Sequence, residues 1–483
     1  MNSYAIRVKF KILIYAFDTE NPYYIPMDLI SNIVSTRSLQ GNSITITIMG
    51  TDLSKRVDEY FPDHAILQLM VSINGGDFIQ ENIGMIVGVD SSYTPKGKVQ
   101  TTIQVMGFEN KLTKQEIFLD LQEDDAVESL DKVTKAKTTF EGAYSQYSKV
   151  LRQTTTLFSL MRSIYEHLIR DLSNTSKTKS GGFFKFGGKD LMASVNELII
   201  EEKSFIYPRI THESYTGNIL MAFNFMGQFG IGKTVNFWQL LYAMVTEPLY
   251  ELYFDNLETT IIGGKKSLVW TSKDNDYDEE LKAGKSFLVF RKTPFDRLFD
   301  ENNGYWNVNK SEAVSIPNDM IKSISFKSDS SRIVTGVHVG LTILEQAGNT
   351  MAFKPKWDDS LRSRYGYRLL QVKLEGVSVK DLNKGQIFGT WQDKMKAIRD
   401  RVFYIFCNPT EMKHAEINIG TAYNYFRIGL PYYIDHENDR FGKWGYLESI
   451  STTFTPTGRA DSTLNFKWVT IQDKPNDKII SYG

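Results

Sequence analysis

Apolar and hydroxyl side chains alternate with a period of two residues in Ser43-Ile44-Thr45-Ile46-Thr47-Ile48. Successive side chains of a strand point to opposite faces, so this period predicts a half-buried β-strand. Residues 4–16 alternate more loosely, and Asn74-Gly75-Gly76-Asp77 separates two further apolar runs in the manner of a hairpin turn. Several short strands at this spacing predict a closed or nearly closed N-terminal β-barrel over residues 1–120.

The rest of the chain predicts further domains, because 483 residues exceed what one core accommodates. Residues 121–250 predict a helical insert, with a flexible Ser-, Thr-, Lys- and Gly-rich loop at 173–189. Residues 251–320 predict a mixed α/β connecting region, and residues 321–483 a second β-barrel region with an inserted helix at 389–406. No short-period internal repeat is evident. The predicted fold class is mainly β with α+β insertions, with two β-barrel domains and a helical insert.

Charge and composition exclude several classes of protein. The formal net charge is −1, with 56 basic and 57 acidic residues, so the chain has no overall excess of positive charge for nucleic acid. It has a single cysteine, Cys407, and therefore no intrachain disulfide. No secretory signal and no run of about 18 apolar residues is present, which predicts a protein without a membrane span.

One segment matches a phosphate-binding loop. Gly227-Gln228-Phe229-Gly230-Ile231-Gly232-Lys233-Thr234 fits the pattern G-x-x-x-x-G-K-[ST], in which backbone amides and the lysine hold nucleotide phosphates. Such a domain also needs βαβ units and a strand-borne aspartate for magnesium, for which Asp255 is the nearby candidate. The strands that follow look antiparallel, so we favour the alternative that Gly232 ends a turn and Thr234 caps a helix. We therefore predict no cofactor.

The remaining reactive side chains form no recognisable site. The six histidines lie at no metal-ligand spacing, and we expect Asp435-His436-Glu437 to be a solvated turn. Cys407 follows an apolar helix and is expected to be a buried thiol. Glu123-Asp124-Asp125 and Asp358-Asp359 resemble acids of helix starts or loops. These patterns predict neither a catalytic nor a metal site, and the chain is not expected to be an enzyme.

A basic segment with interleaved aromatics borders the predicted loop. Its members are Lys132, Lys135, Lys137, Lys177, Lys179, Lys185 and Lys189, with Phe183, Phe184 and Phe186. This mixture is compatible with nucleic-acid binding. The neutral overall charge favours a loop that becomes ordered against a protein partner.

A series of short motifs extends over nearly the whole chain in a fixed order. They are residues 44–53, 67–73, 75–76, 83–86 and 103–107, then Glu251-Leu252-Tyr253-Phe254-Asp255, residues 288–295, Arg364-Tyr365-Gly366-Tyr367-Arg368, residues 445–450 and residues 463–466. With these motifs the chain resembles the central baseplate hub of contractile-tailed phages of the T-even type, which is related to the hub part of contractile injection spikes. The helical stretch from about 124 to 215 has no counterpart in that family.

The resemblance implies a structural protein of the tail baseplate in the virion, assembled in the host cytoplasm. It implies a homotrimer in which the two barrels of each chain are related by pseudo-symmetry and form a pseudo-sixfold ring around a central channel. The implied partners are the tail tube or tube-initiator protein, the central spike, and also tape-measure and baseplate wedge proteins, with no specific nucleic acid. Two alternatives stay open, a tail-fibre or receptor-binding adaptor and a tail protein with nucleotide-binding or cell-wall activity.

Overall fold

The fold was analysed in a computed structural model. The structure describes residues 7–16, 22–50, 57–62, 65–93, 99–114, 116–118, 185–186, 189–190, 196–201, 234–242, 245, 250–256, 259–262, 265–268, 286–292, 314–327, 333–341, 354–374, 391–407, 413–420, 426–437 and 444–470.

Strands make up most of the described chain, which confirms the mainly β class. The N-terminal strands are β1 (Val8–Tyr15), β2 (Tyr23–Tyr24), β3 (Ile30–Ser38), β4 (Ser43–Met49), β5 (Ile66–Ile73), β6 (Ile79–Tyr93), β7 (Val99–Met106) and β8 (Glu116–Phe118). The middle strands are β9 (Lys185–Phe186), β10 (Lys189–Asp190), β11 (Asn196–Glu201), β12 (Thr234–Asn236), β13 (Tyr250–Asp255), β14 (Thr259–Ile262), β15 (Lys265–Leu268) and β16 (Ser286–Lys292). The C-terminal strands are β17 (Val314–Ile316), β18 (Ile321–Lys327), β19 (Gly336–Leu341), β20 (Lys356–Trp357), β21 (Leu369–Leu374), β22 (Lys413–Ile419), β23 (Pro431–Ile434), β24 (Trp444–Phe454) and β25 (Ala460–Thr470).

Helices are few and short in the described residues. They are Val57–Tyr60, Phe108–Lys114, Phe237–Tyr242, Asp359–Tyr365 and Trp391–Phe406. The last lies within the predicted 389–406 helix and buries Met395, Ile398, Val402 and Phe406, the side predicted to be apolar. Asp358 caps Asp359–Tyr365 by accepting a hydrogen bond from the Leu361 amide at 2.9 Å, as expected for an acid at a helix start.

One 13-stranded sheet dominates the molecule. Its order is β18-β22-β25-β24-β3-β4-β7-β6-β5-β1-β2, and β23 pairs with both β24 and β17. Two hydrophobic clusters pack on it, one built mainly from β1, β3, β4, β5 and β7, the other mainly from β22 to β25. Ile44, Ile46 and Ile48 point into the first cluster, so the alternation that predicted β4 is the alternation of its buried and outward side chains.

The same order of five strands occurs twice in this sheet. The N-terminal set runs β3-β4-β7-β6-β5, and the C-terminal set runs β18-β22-β25-β24-β23. Two of their irregularities coincide as well. A bulge lies between Ile30 and Asn32 of β3 and between Ile321 and Ser323 of β18, and a second bulge interrupts the pairing of β6 with β7 and of β24 with β25. A shared bulge at a shared position indicates a duplicated unit, because bulges fix strand register.

The duplication is visible in sequence once the strands are aligned. Ile25-Pro26-Met27-Asp28-Leu29-Ile30 corresponds to Ile316-Pro317-Asn318-Asp319-Met320-Ile321, and each forms a 3-10 turn between two strands. Tyr93-Thr94-Pro95-Lys96-Gly97-Lys98 likewise corresponds to Phe454-Thr455-Pro456-Thr457-Gly458-Arg459. Gly458 has a φ of +81°, a conformation that glycine adopts readily, which accounts for glycine in this turn. The two copies lie hundreds of residues apart in the chain, so the duplication is not a short-period repeat.

The order of paired strands ends at β18 and β2, so closure of either predicted barrel is not among the pairings of the described residues. The pseudo-symmetric two-barrel arrangement therefore stays a prediction. Between residues 121 and 250, where a helical insert is predicted, the described segments are β9 to β12 and the helix Phe237–Tyr242. The predicted helices between 121 and 173 lie outside the described residues.

Candidate interaction surface of the central sheet

The outward face of the central sheet carries hydroxyl and amide side chains. In β3, β4 and β7 the outward positions are Asn32, Val34, Thr36, Ser38, Ser43, Thr45, Thr47, Met49, Gln100, Thr102, Gln104 and Met106. None of these residues is charged. In the C-terminal set the outward positions include Ser323, Ser325, Glu416, Asn418, Ser449, Ser451, Thr463 and Asn465.

Hydrogen bonds between neighbouring strands order this face. Thr463 donates to Asn418 at 2.7 Å, and Asn418 donates to Ser323 at 3.0 Å. Asn465 donates to Ser449 at 3.0 Å on the adjacent strand pair. The charges in the C-terminal set lie in ion pairs, Lys327 with Glu416 at 3.0 Å and Lys467 with Glu448 at 3.7 Å. The face is therefore polar but has little net charge.

The two strand sets meet where β24 pairs with β3. Six residue pairs run in antiparallel register from Ser449 opposite Ser38 to Phe454 opposite Ile33. Phe454 and Ile33 are both 0% exposed, whereas Thr36 and Ser451 share a hydrogen bond of 3.2 Å on the outward face. This junction makes one continuous sheet from the two sets.

Each set also presents one strand edge at the position equivalent to this junction. β18, the counterpart of β3, is the end strand of the sheet order, and Lys322, Ser323, Ser325 and Lys327 are exposed. β6, the counterpart of β24, pairs with β5 only over residues 79–85 and continues to Tyr93 with its last four residues exposed. Among the described strands, none pairs with β6 beyond residue 86 on that side.

Residues 251–256, here named the bridging segment, connect to the N-terminal set by buried hydrogen bonds. Asn256 donates to the Asn82 side chain at 2.8 Å and to the Ile83 carbonyl at 2.9 Å. Gln80 donates to the Asn256 carbonyl at 2.5 Å, and Asn42 donates to the Phe254 carbonyl at 3.1 Å. Buried amides with partners on both sides fix the segment, because leaving any of them unpaired is costly.

The same segment connects to the C-terminal set. Arg427 donates to the fully buried Asp255 carboxylate at 2.8 Å, and Tyr446 donates to Glu251 at 2.5 Å. Asp255 is the aspartate proposed from sequence as the magnesium partner of a phosphate loop. The structure instead pairs it with Arg427, a buried structural contact. No sequence signal pointed to this partner, because Asp255 and Arg427 are far apart in the chain.

The N-terminal set contains two buried carboxyl groups, those of Glu81 and Glu109. Glu81 pairs with Arg37 at 3.2 Å; burial raises the pKa of Glu81, and Arg37 opposes that rise. Glu109 accepts a hydrogen bond from the Asn42 amide at 2.5 Å, and burial raises its pKa to about 7. Glu81 contacts Arg37 and Glu109 contacts Asn42, both within the N-terminal set, so we interpret the two carboxyl groups as structural.

The residues of the phosphate-loop match are only partly described. Gly227, Gly232 and Lys233 lie outside the described residues. Thr234 begins β12, which pairs with β8, and the cap expected at Thr234 is provided by Asn236, whose side chain accepts from the Gln239 amide at 2.7 Å. The capping prediction was therefore wrong by two residues, since the strand continues through Asn236 before the helix begins.

The remaining predicted residues occupy ordinary structural positions. Cys407 is buried, as predicted, and burial raises the pKa of its thiol to about 12. Asp435 and Glu437 are exposed, as expected for a solvated turn, whereas His436 between them is half-buried with its ring near that of Phe326. In the basic segment, Lys185, Phe186 and Lys189 belong to the β9–β10 hairpin, and its other members lie outside the described residues.

No group of three or more His, Cys, Asp or Glu side chains is arranged to hold a metal ion in the described ranges. No helix among them is long and apolar enough to cross a membrane.

No family model matches the sequence, and no curated protein matches it. Solved structures similar in overall shape include a tail protein from Neisseria meningitidis MC58, with 8% identity, 96% of this chain and 97% of that chain covered, and a TM-score of 0.47. The 43 kDa tail protein of prophage MuSo2 from Shewanella oneidensis has 11% identity, coverage of 96% and 99%, and a TM-score of 0.46. An E. coli component of the type VI secretion system, described as similar to T4 bacteriophage tail proteins, has 8% identity, coverage of 96% and 77%, and a TM-score of 0.40. All three TM-scores are below 0.5.

Proposed function

We propose that this protein is the structural hub of a contractile-tail baseplate, a trimeric ring that joins the tail tube to the central spike. It acts in the virion tail by assembly and performs no covalent chemistry. The proposal combines the family resemblance of the sequence motifs with the duplicated strand sets.

The observation that carries the proposal is the duplication. The two strand sets share strand order and two bulges, and the pairing of β24 with β3 joins them into one sheet. Three such chains contain six similar units while keeping only threefold symmetry. A ring of this kind matches a sixfold tube on one side to a threefold spike on the other. Closed cyclic assemblies of this kind are common among oligomers.

The outward polar face supports a channel-lining role. In the proposed ring this face surrounds the axis, and the two hydrophobic clusters lie on the opposite side of the sheet. Hydroxyl and amide groups that already bond to each other across strands offer few free charges to a passing polymer. Such a lining is expected to let a polyanion or an unfolded chain pass without binding it.

The test is an averaged electron-microscopy map of the assembled particle. Three copies around the tail axis, each with two related strand sets, are the expected result. Density away from the axis, or one strand set per chain facing it, would contradict the hub and favour the receptor-binding adaptor, which also predicts binding to host surface glycans.

The nucleotide alternative has its own test. We expect the full-length protein to bind ATP no better than its Lys233→Ala variant, because the proposed hub uses no nucleotide. Saturable ATP binding that is lost in the variant would establish a nucleotide site and contradict this part of the proposal.

A further inference from the structure

We propose that neighbouring copies join by strand pairing, with residues 87–93 of β6 in one copy lying antiparallel to β18 of the next. The contact repeats the internal β24·β3 junction in the same register. This inference rests on the proposed ring, and it specifies which strands and which residues close it.

The structural equivalence of β6 and β24 is close at the point where the new contact begins. The Ile86 amide donates to the Ala65 carbonyl at 2.9 Å, and the Leu447 amide donates to the Leu430 carbonyl at 3.0 Å at the equivalent position. Past this bond, both strands leave the preceding strand of their set. In β24 the next residues pair with β3, whereas in β6 the next residues reach the surface. The counterpart of β3 is β18, at the far end of the same sheet.

Within one chain these two edges are not neighbours. Six strands separate them in the sheet order, namely β22, β25, β24, β3, β4 and β7. A second copy is the occupant that offers the matching edge. Because the contact joins two different edges, it is head-to-tail and continues from copy to copy until the ring closes.

The internal junction fixes the register of the proposed contact. The internal pair Phe454–Ile33 corresponds to Tyr93 of one copy opposite Ile324 of the second copy. The internal pair Thr453–Val34 corresponds in the same way to Ser92 opposite Ser325 of the second copy. Tyr93 is 70% exposed in the single chain, whereas its counterpart Phe454 is 0% exposed. Pairing would therefore bury an exposed aromatic side chain in the way that the internal junction already does.

Charge complementarity supports the same register. The internal pair Ser451–Thr36 corresponds to Asp90 opposite Lys327 of the second copy, which is a pair of opposite charges. Lys327 is 66% exposed and lies 3.0 Å from Glu416 of its own copy, so Asp90 would extend an existing ion pair. β18 carries two lysines and residues 87–93 carry one aspartate as their only charge. Like charges would disfavour pairing of two β18 edges, which selects the head-to-tail contact.

Disulfide trapping tests the register in the full-length protein. Directly opposed residues of an antiparallel pair have Cα atoms about 4.5–5.5 Å apart, within disulfide range. We expect oxidised Ser92→Cys/Ser325→Cys protein to form covalent dimers and trimers on non-reducing gels. The matched control is Ser92→Cys/Ser323→Cys, which moves one thiol two residues along the strand and should cross-link about tenfold less, since its Cα separation exceeds that range.

Several outcomes would overturn the inference. They are an intramolecular cross-link, equal cross-linking of the control, cross-linking of the Ser92→Cys or Ser325→Cys variant alone, or no intermolecular cross-link at the highest concentration that the protein tolerates. All substituted serines are exposed or partly exposed, and far-UV circular dichroism verifies that the variants fold.

Charge reversal gives an independent readout. We expect Asp90→Lys alone and Lys327→Asp alone each to weaken self-association about three- to tenfold per junction, and the double variant to restore it, because the pair is re-formed with exchanged signs. Sedimentation velocity over a concentration series measures this. Additive losses in the double variant would contradict the pairing.

The hub and the junction can fail separately. A threefold ring in the particle map without the Ser92–Ser325 cross-link would retain the hub and reject this junction. Cross-linked rings together with off-axis density in the particle would retain the junction and reject the hub.

Discussion

The N-terminal and C-terminal strand sets have the same backbone pairing but different surroundings. β3 lies between β4 and β24, whereas its counterpart β18 has only β22 as a neighbour in the sheet order. The outward positions of β3, β4 and β7 are uncharged, whereas the C-terminal set carries ion pairs on the same face. Duplication thus preserved strand order and bulges while side chains diverged according to whether an edge is covered within the chain.

The largest expected difference in unfolding free energy is between substitutions of the equivalent aromatic residues Phe454 and Tyr93. Phe454→Ala should lower the free energy of unfolding by about 3–5 kcal/mol, because Phe454 is buried against β3 and packs near Phe10. Tyr93→Ala should change it by less than about 0.5 kcal/mol in the isolated chain, because Tyr93 is exposed. Urea unfolding of both variants measures the difference. Equal losses would mean that the two positions are not equivalent in the way the pairing indicates.

Gly84 and Gly445 are a second pair of equivalent residues. They differ in whether a backbone atom or a side chain lies close to the position of an added Cβ. A Cβ at Gly84 would lie 2.5 Å from the Met106 carbonyl oxygen, whereas at Gly445 it would meet the Phe466 ring at 2.9 Å. A backbone atom cannot move aside as a ring can. We expect Gly84→Ala to cost about 3 kcal/mol of unfolding free energy and Gly445→Ala about 1 kcal/mol. Chemical denaturation checks the order, and the reverse order would show that the Phe466 ring is held more firmly than β7.

A third prediction concerns a carboxyl group of the N-terminal set. Burial raises the pKa of Glu109 from 4.5 to about 7, so the folded protein holds a proton that the unfolded chain releases earlier. Its contribution to stability is therefore greatest below pH 4.5 and is lost as the pH rises to about 7. The loss should be on the order of 3 kcal/mol, because the carboxyl group is buried and one unit of pKa difference corresponds to about 1.4 kcal/mol.

Unfolding free energies between pH 4.5 and 7 measure this contribution, with Glu109→Gln as the variant that should lack it. The same pH dependence in both proteins would assign the effect to another group. Asp90→Asn, which alters an exposed carboxyl of the same set, is the matched control and should keep the wild-type profile.

The smallest expected effect concerns the surface ion pair of the C-terminal set. Lys327→Met should change the unfolding free energy of the isolated chain by less than about 0.5 kcal/mol, because exposed ion pairs contribute little. The same change should weaken self-association if β18 is a contact edge. A large loss of stability without any effect on association would mean that Lys327 stabilises the single chain and that β18 is not a contact edge.

Local elements of the fold could be predicted from the amino-acid sequence. Alternation at Ser43–Ile48 predicted β4. The spacing of Met395, Ile398, Val402 and Phe406 predicted the helix Trp391–Phe406. Both predictions were possible because each period is visible in residues that are near one another in the sequence. The family motifs also coincide with strands of the central sheet, including β4, β5 and β24.

The pairing of strands and the contacts between distant residues became known only from the three-dimensional fold. It joined β24 to β3, aligned two sets with little common sequence, and paired Asp255 with Arg427 instead of a nucleotide's metal. The physical reason is that the hydrogen bonds of a sheet are made by the backbone, which is alike in every residue. Side chains can diverge while the ladder and its bulges persist, so strand partners leave little trace in the sequence.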